Sequence, residues 1–122
     1  MIQLRRDAYA VVDERSGGQC EAPAWMSEHF GVRCPERAIE HHHRRPRRSG
    51  GSTDPVTETA ANVVHACAGH HRFVESERGL AIEKGWLVHA GQDPASVPVL
   101  TWQGLVLLRE DGSVEPVTEE SA

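Results

Sequence analysis

The chain has few aromatic residues and a low apolar content. Among its 122 residues, aromatics make up 5 % and hydrophobic residues 39 %. A chain of this length fits one domain and can bury about two-thirds of its unfolded surface. So low an apolar content predicts a thin core. A structural metal would compensate, because zinc binding to a small domain can supply on the order of 10 kcal/mol of folding free energy.

Long apolar runs are absent as well. No segment approaches the roughly 20 apolar residues that a membrane helix needs, and no apolar signal segment opens the sequence. We therefore expect no membrane partner. Cysteine is scarce, and its count of three is odd. We expect a reducing, cytoplasmic environment, where cysteines at such spacings bind metal more often than they form disulfides.

Positive charge is scarce but concentrated. The formal net charge is -5, and acidic residues accumulate in the last thirteen positions. Four arginines nevertheless lie within five residues, with no acid among them: Arg44, Arg45, Arg47 and Arg48. A solvated charged loop is one interpretation of such a run. Because it directly follows three histidines, we favour a local positive face that binds phosphates.

Residue patterns predict an α+β fold in one domain, 1–122. Helical spacing of apolar residues predicts a helix over 4–16, stopped by Gly17-Gly18, and a second over about 70–78, ending at Gly79. Between them we expect an irregular loop (19–37), a short strand (38–43), an exposed loop (47–59) and a strand or tight turn (62–66). Strands at 85–89 and 104–108, with a hairpin turn at Asp111-Gly112, predict a small antiparallel addition. We therefore divide the domain into a core of about 20–79, a C-terminal β addition of about 80–115 and an acidic tail, 116–122.

The cysteines predict a structural zinc site. Zinc in such sites takes four ligands in a tetrahedron, usually from two short pairs. Cys67 and His70 form one pair, and Cys20 and Cys34, with thirteen residues between them, would form the other. Two alternatives stay open: three buried thiols with His70 merely starting a helix, or His29 as a substitute ligand.

The segment 40–47 places three adjacent histidines before the arginines. Histidine binds metal or transfers protons near neutral pH, and arginine binds phosphate. About twenty residues after this segment come Asn62 and then His70-His71, so a second group of metal-capable side chains can face the first across a loop. This combination predicts phosphodiester chemistry.

Together these residues resemble the HNH endonucleases. The resemblance covers about residues 20–77 and rests on these motifs: His42-His43-Arg44-Arg45-Pro46, Gly50-Gly51, Asn62 and Cys67-Ala68-Gly69-His70-His71. It implies a ββα-metal core, a hairpin followed by a helix, often braced by zinc. Two departures concern the zinc ligands: the first pair is widely split, and histidine replaces the last cysteine of the second.

The resemblance also implies residue roles, with Pro46 setting the register. The family pattern places the catalytic metal ligand four positions before the proline and the general base three before it, which gives His42 and His43. His71 is then the second metal ligand, and Asn62 ties down the loop that orients the base. In a shifted register His41 is the ligand and His42 the base; otherwise His41 is a flanking residue. Glu75 is either a third ligand or an outer-sphere carboxylate.

The implied activity is a metal-dependent DNA endonuclease. It would use Mg²⁺, Mn²⁺ or Ni²⁺ and leave 5'-phosphate and 3'-hydroxyl ends. The side chains expected to grip the DNA backbone are Arg44, Arg45, Arg47, Arg48 and Arg72. Because backbone contacts carry little sequence information, we expect weak specificity.

Beyond Gly79 the chain shows a looser resemblance to small HNH proteins of actinobacterial phages. This resemblance implies that the protein acts in the cytoplasm of a bacterial host, beside the phage terminase. The rival interpretations are a non-catalytic zinc-binding DNA module and a metal-binding structural or assembly protein.

Overall fold

The computed structural model describes residues 2–26, 32–46 and 54–117. Within these residues the fold is mixed α+β, with three α-helices and two small antiparallel sheets. The helices are α1 (Ile2–Ser16), α2 (Ala68–Ser76) and α3 (Arg78–Glu83). The strands are β1 (Glu40–His43), β2 (Val63–Ala66), β3 (Val99–Thr101), β4 (Gly104–Leu108) and β5 (Val114–Pro116).

Helix α1 ends where the sequence predicted. Gly17 and Gly18 have φ angles of 66° and 82°, which end a helix at low cost because glycine has no Cβ to clash. Val12 is fully buried and packs in a small cluster with Ala60 and Val63. The helix is thereby held against the strand β2.

Strands β1 and β2 form an antiparallel pair that confirms both short strands predicted around the histidine run. The register places His41 opposite His65, His42 opposite Val64 and His43 opposite Val63. Neighbouring side chains in a strand point to opposite faces. His41 and His43 accordingly lie near Tyr9 of α1, whereas the His42 ring lies near Trp86 and His71 on the other face.

Helix α2 follows β2 after a single residue. Cys67 caps its N-terminus, with the sulfur accepting a hydrogen bond from the His70 N–H at 3.4 Å. The predicted helix end at Gly79 is wrong. The break falls at Glu77, and Gly79 lies inside α3. Burial of Ala81 against the core outweighs the low helix propensity of that glycine.

The C-terminal part confirms a small antiparallel sheet, in the order β3-β4-β5. The strand predicted at 104–108 and the turn at Asp111-Gly112 are both present, and Gly112 has a φ of 90°. The strand predicted at 85–89 is wrong, since these residues are irregular, with 85–88 buried and His89 exposed. Trp86 donates its indole N–H to the Leu100 carbonyl at 2.9 Å, and the third strand is instead Val99–Thr101.

Part of the loop expected to be exposed over 47–59 is also buried. Residues 47–53 lie outside the described residues, but Pro55–Glu58 forms a 3₁₀ turn in which Thr57 and Glu58 are buried. A second 3₁₀ turn, Ala60–Asn62, leads into β2. This compact connection brings Glu58 and Asn62 close to the end of β1.

Trp86 lies at the centre of the main hydrophobic cluster and is fully buried. The same cluster includes Cys20 and Ala22, Val64 and Ala66 of β2, and residues of β3 and β4. Among residues 2–26, 32–46 and 54–117, none of the helices combines the length and apolarity that crossing a membrane requires.

Candidate functional site

A group of three cysteines and one histidine forms at the base of α2. The ligand atoms of Cys20, Cys34, Cys67 and His70 all lie within 4.8 Å of one another, and we name them the Cys3His cluster. The Cys34 and Cys67 sulfurs are 3.9 Å apart, and His70 Nδ1 is 3.2 Å from Cys67 and 3.6 Å from Cys20. The four residues predicted to share a metal are therefore brought together at metal-binding distance.

An antiparallel ribbon brings the widely spaced Cys20 and Cys34 to the same place. The Cys20 N–H donates to the Glu36 carbonyl and the Cys34 N–H to the Ala22 carbonyl, both at 3.0 Å. Isolated bridges join Gln19 to Arg37 and Pro23 to Arg33. The described residues on either side, 19–23 and 33–37, thus pair as an antiparallel ribbon, and this pairing brings two cysteines so far apart in sequence together.

The chemistry of the Cys3His cluster fits a zinc ion. Zn–S bonds of about 2.3 Å in a tetrahedron place sulfurs roughly 3.8 Å apart, close to the observed separation. Burial raises the pKa of Cys20 to about 12 and also raises that of Cys34, so these thiols need a cation to become thiolates. Burial lowers the pKa of His70, which keeps its imidazole neutral and able to ligate.

His42 of β1 and His71 of α2 lie close together. Their ring centroids are 5.9 Å apart with an interplanar angle of 64°. Burial lowers the pKa of His42 to about 4, so its ring is neutral at physiological pH. Its Nε2 lies 2.6 Å from the Trp86 carbonyl oxygen and must donate the proton there, which leaves Nδ1 with a free lone pair.

His71 is more accessible, with its side chain about one-third exposed. Its Nε2 lies 3.8 Å from a carboxylate oxygen of Glu75, one turn further along α2. Glu75 is thus near His71 but is itself exposed at 69 %, and both of its suggested roles stay open.

His43 lies beside a buried carboxylate that sequence reasoning missed. Its Nε2 is 3.6 Å from Glu58 Oε2, and the Glu58 side chain is fully buried. Arg5 of α1 approaches the same oxygen at 3.3 Å. No sequence spacing connects residues 5, 43 and 58; the 3₁₀ turn at Pro55–Glu58 creates the contact.

Asn62 holds the chain immediately after His43. Its Oδ1 accepts the Arg45 N–H at 2.8 Å, and its Nδ2 donates to the carbonyls of Arg45 and Thr57, both at 3.1 Å. The side chain is fully buried. The resemblance assigned to this asparagine the role of tying down the loop, and its hydrogen bonds are those that such a role needs.

Arg44 requires a correction. Its side chain is fully buried, and its guanidinium donates to main-chain carbonyls of Ala61, Gly85, Pro94 and Val97 at 2.6–3.0 Å. Every one of its nitrogens is used inside the protein. The expectation that Arg44 contacts a phosphate backbone is therefore wrong, and the residue instead ties β1 to the segment before β3.

The other predicted arginines differ in their placement. Arg45 is partly buried and pairs with Asp54 at 3.0 Å, whereas Arg72 is exposed on α2. Four further residues singled out in the sequence, together with His29, lie outside the described residues: Arg47, Arg48, Gly50 and Gly51.

His41 points toward α1 and away from His42. Its Nε2 lies 2.7 Å from an Asp13 carboxylate oxygen, and its ring stacks on Tyr9 at 3.9 Å and on His65 at 4.5 Å. Sequence reasoning missed Asp13 and His65. Only the register that pairs His41 with His65 would have revealed this second histidine group.

Comparison with known proteins adds no assignment. No protein-family model matches the chain, and no curated protein and no solved structure matches it either.

Proposed function

We propose that this protein is a metal-dependent DNA endonuclease with an HNH-type ββα-metal centre. The observation that supports this most directly is the approach of His42 on β1 to His71 on α2, beside a loop tied down by Asn62. An antiparallel strand pair followed at once by a helix is the arrangement that the resemblance requires. The reaction would be hydrolysis of a phosphodiester bond.

We also propose that the Cys3His cluster holds a structural zinc ion. All four ligands come from protein side chains, and three of the four residues are buried, as in closed structural sites. Its position at the first turn of α2 would fix the helix that carries His71. The two metal sites would then have separate roles, one in folding and one in catalysis.

His42 and His71 would hold the catalytic divalent ion, Mg²⁺, Mn²⁺ or Ni²⁺. The neutral His42 ring offers Nδ1 as a ligand because Nε2 donates to the Trp86 carbonyl. Two imidazoles on one tetrahedral ion have ring centroids roughly 5 Å apart, so from the observed 5.9 Å a small movement of the more accessible His71 ring would suffice. When bound, such an ion neutralises negative charge that builds on the phosphate as the bond breaks.

His43 would act as the general base, as the resemblance assigns. Its ring lies on the α1 side of β1, opposite to His42, so this role requires the end of the strand to bend and turn His43 toward the ion. A neutral imidazole takes a proton from water, and the resulting hydroxide attacks phosphorus. The bond to the 3' oxygen breaks, and that oxygen takes up a proton from solvent, leaving 5'-phosphate and 3'-hydroxyl ends. Glu58, 3.6 Å away, would stabilise the imidazolium that forms. Asn62 would maintain the backbone that positions His43, through its three hydrogen bonds to the loop.

The DNA backbone would lie near the end of β1 and the exposed side of α2. Arg45, Arg47, Arg48 and Arg72 are the proposed contacts, although the net charge of the whole chain is -5. Contacts to phosphates alone would give weak sequence specificity. An accessory role beside a phage terminase in a bacterial host follows from the looser resemblance and stays a proposal.

A plasmid nicking assay tests the function. Supercoiled DNA is incubated with the purified protein and Mg²⁺, Mn²⁺ or Ni²⁺, in parallel with His43→Ala and with His89→Ala as a control at an exposed histidine outside the site. We expect nicking by the parent and by His89→Ala, and a loss of about 10²-fold or more in His43→Ala.

The outcomes separate the assignments. Intact supercoiled DNA under every metal and salt condition would show that the protein is not a nuclease. If the protein binds the plasmid but does not nick it, the non-catalytic DNA-binding module is favoured. If His43→Ala nicks as fast as the parent, the general base is a different residue.

A further inference from the structure

A second group of metal-capable side chains lies between α1 and the strand pair. Asp13 projects from α1, His41 from β1 and His65 from β2, and their ligand atoms lie within 4.8 Å of one another. Asp13 Oδ1 is 2.7 Å from His41 Nε2 and 3.8 Å from His65 Nε2. Three separate elements thus direct one carboxylate and two imidazoles to a common point.

Ser16 determines which nitrogen of His65 carries the proton. Its hydroxyl oxygen lies 2.7 Å from His65 Nδ1 and 3.3 Å from the Asp13 main-chain carbonyl, and it accepts the Gly18 N–H at 3.0 Å. All three contacts are satisfied only if the hydroxyl donates to the carbonyl and His65 Nδ1–H donates to the hydroxyl. His65 Nε2 then carries a lone pair on the side of the Asp13 carboxylate.

A lone pair 3.8 Å from a carboxylate oxygen offers two ligand atoms to a cation that lies between them. The nearby cation Arg15 does not fill this role, because Glu21 engages it through two hydrogen bonds of 2.7 Å. A hydrogen bond from an outer residue to the second nitrogen of a ligating histidine is the usual support for a metal site. Ser16 gives His65 that support.

Solvent reaches the site from the Asp13 side. The side chains of Asp13 and His41 are 55 % and 24 % exposed, whereas that of His65 is 9 % exposed. The His41 and His65 rings are nearly parallel, so ligation by both requires the more exposed His41 ring to turn toward Asp13. This turn would also end the stacking of His41 on Tyr9 at 3.9 Å, so the ligand bond has to outweigh that contact.

We propose that Asp13, His41 and His65 form a binding site for a divalent transition-metal ion such as Ni²⁺ or Zn²⁺. Two imidazoles and one carboxylate, with the remaining positions open to water, are a ligand set suited to these ions. The ion would link α1 to both strands of the pair and stabilise their packing. This proposal stands independently of the proposed nuclease activity.

The experiment uses zinc-loaded protein with the His71→Ala substitution, which removes the other two-histidine site. Ni²⁺ is titrated by calorimetry, and the melting temperature is measured with and without Ni²⁺. We expect about one Ni²⁺ site per chain, and a rise in melting temperature of roughly 10 °C at 100-fold excess over the dissociation constant.

Two further variants identify the ligands. Adding Asp13→Asn should weaken Ni²⁺ binding by about 10-fold or more, since even an outer-sphere partner contributes that much. His41→Gln should do the same and covers the case in which Asp13→Asn fails to fold. Asp7→Asn, an exposed position on the same helix, should bind like the parent.

Absence of a Ni²⁺ site in the His71→Ala protein would overturn the proposal. Equal affinity in a folded Asp13→Asn or His41→Gln protein would overturn it too, because the bound ion would then lie elsewhere.

Discussion

At the residue scale, His42 couples the stability of the fold to pH. Burial lowers its pKa to about 4, while an unfolded chain binds the proton near pH 6.5. The unfolded state therefore takes up a proton first as pH falls. The stability associated with a neutral His42 is fully present above pH 6.5 and is lost progressively toward pH 4.

We predict that this loss reaches about 2 kcal/mol at pH 5. Urea unfolding of the wild type and of His42→Gln, both zinc-loaded and without added divalent metal, would measure it at pH 7.5, 6 and 5. Glutamine can still donate to the Trp86 carbonyl but does not titrate. Acid effects on the Cys3His cluster are common to both proteins, so the difference between the two curves isolates His42; a pH-independent difference would contradict the prediction.

A second prediction concerns Arg44, whose guanidinium donates to four main-chain carbonyls. Arg44→Lys preserves the charge, but one ammonium has three donors and a different shape, so buried acceptors lose their partners. We expect a loss of roughly 2–4 kcal/mol in unfolding free energy. Arg45→Lys, at a partly buried position, is the matched control and should cost under about 1 kcal/mol. Equal costs in urea unfolding would refute the structural role of Arg44.

These two residues show what the sequence can and cannot predict about a site. His42, His43, Asn62 and His71 could be singled out because their order and spacing follow a pattern. Arg44 could not be separated from its neighbours, because its burial depends on where the segment from Gly85 to Val97 crosses the end of β1. Distances along the chain contain no information on that crossing.

At the element scale, the turn after α3 determines how the C-terminal sheet meets the core. Gly85 has a φ of 78°, and a Cβ added there would lie 1.9 Å from the Pro98 carbonyl oxygen. The backbone of this turn therefore packs directly on the chain entering β3. Trp86 enters the core immediately afterwards, so a shift of the turn would also shift Trp86 in the core.

We predict that Gly85→Ala destabilises the protein by about 3 kcal/mol or more, since strain at positive φ adds to a backbone clash. Gly91→Ala is a matched control, because Gly91 has a φ of 91° but nothing within 4 Å of its added Cβ. It should cost only about 1 kcal/mol. Thermal or urea unfolding of both variants measures the difference, and similar costs would show that Gly85 is not packed as described.

The errors in predicted elements have a common physical cause. The segment 85–89 has a strand-like pattern, yet its residues 85–88 are buried without a sheet partner, and the paired strand is Val99–Thr101. The strand at 104–108 was predictable because a turn signal at Asp111-Gly112 accompanies it. Local pattern predicts that a segment is buried; tertiary packing decides whether it pairs.

At the scale of the whole molecule, the Cys3His cluster joins the N-terminal ribbon to α2, and its cysteines belong to the main hydrophobic cluster. The ligands were predictable as residues, but the ribbon that closes the distance between Cys20 and Cys34 was not. Without a cation, burial keeps the thiols of Cys20 and Cys34 protonated, so they hold these parts together only by packing. Folding and metal binding are therefore expected to be coupled.

We predict about one tightly held zinc per chain after purification without chelator, and a large fall in melting temperature when a strong chelator removes it. Lowering the pH should release the same zinc, because protons compete for the cysteine sulfurs and for His70. Cys34→Ser should reproduce the chelated state, whereas His71→Ala should melt like the parent, since His71 lies outside the cluster. Elemental analysis and thermal unfolding measure these effects together. A protein that contains no zinc yet melts at the same temperature with and without chelator would show that the four ligands pack as ordinary core residues, because a metal that stabilises only the folded state must shift the unfolding equilibrium.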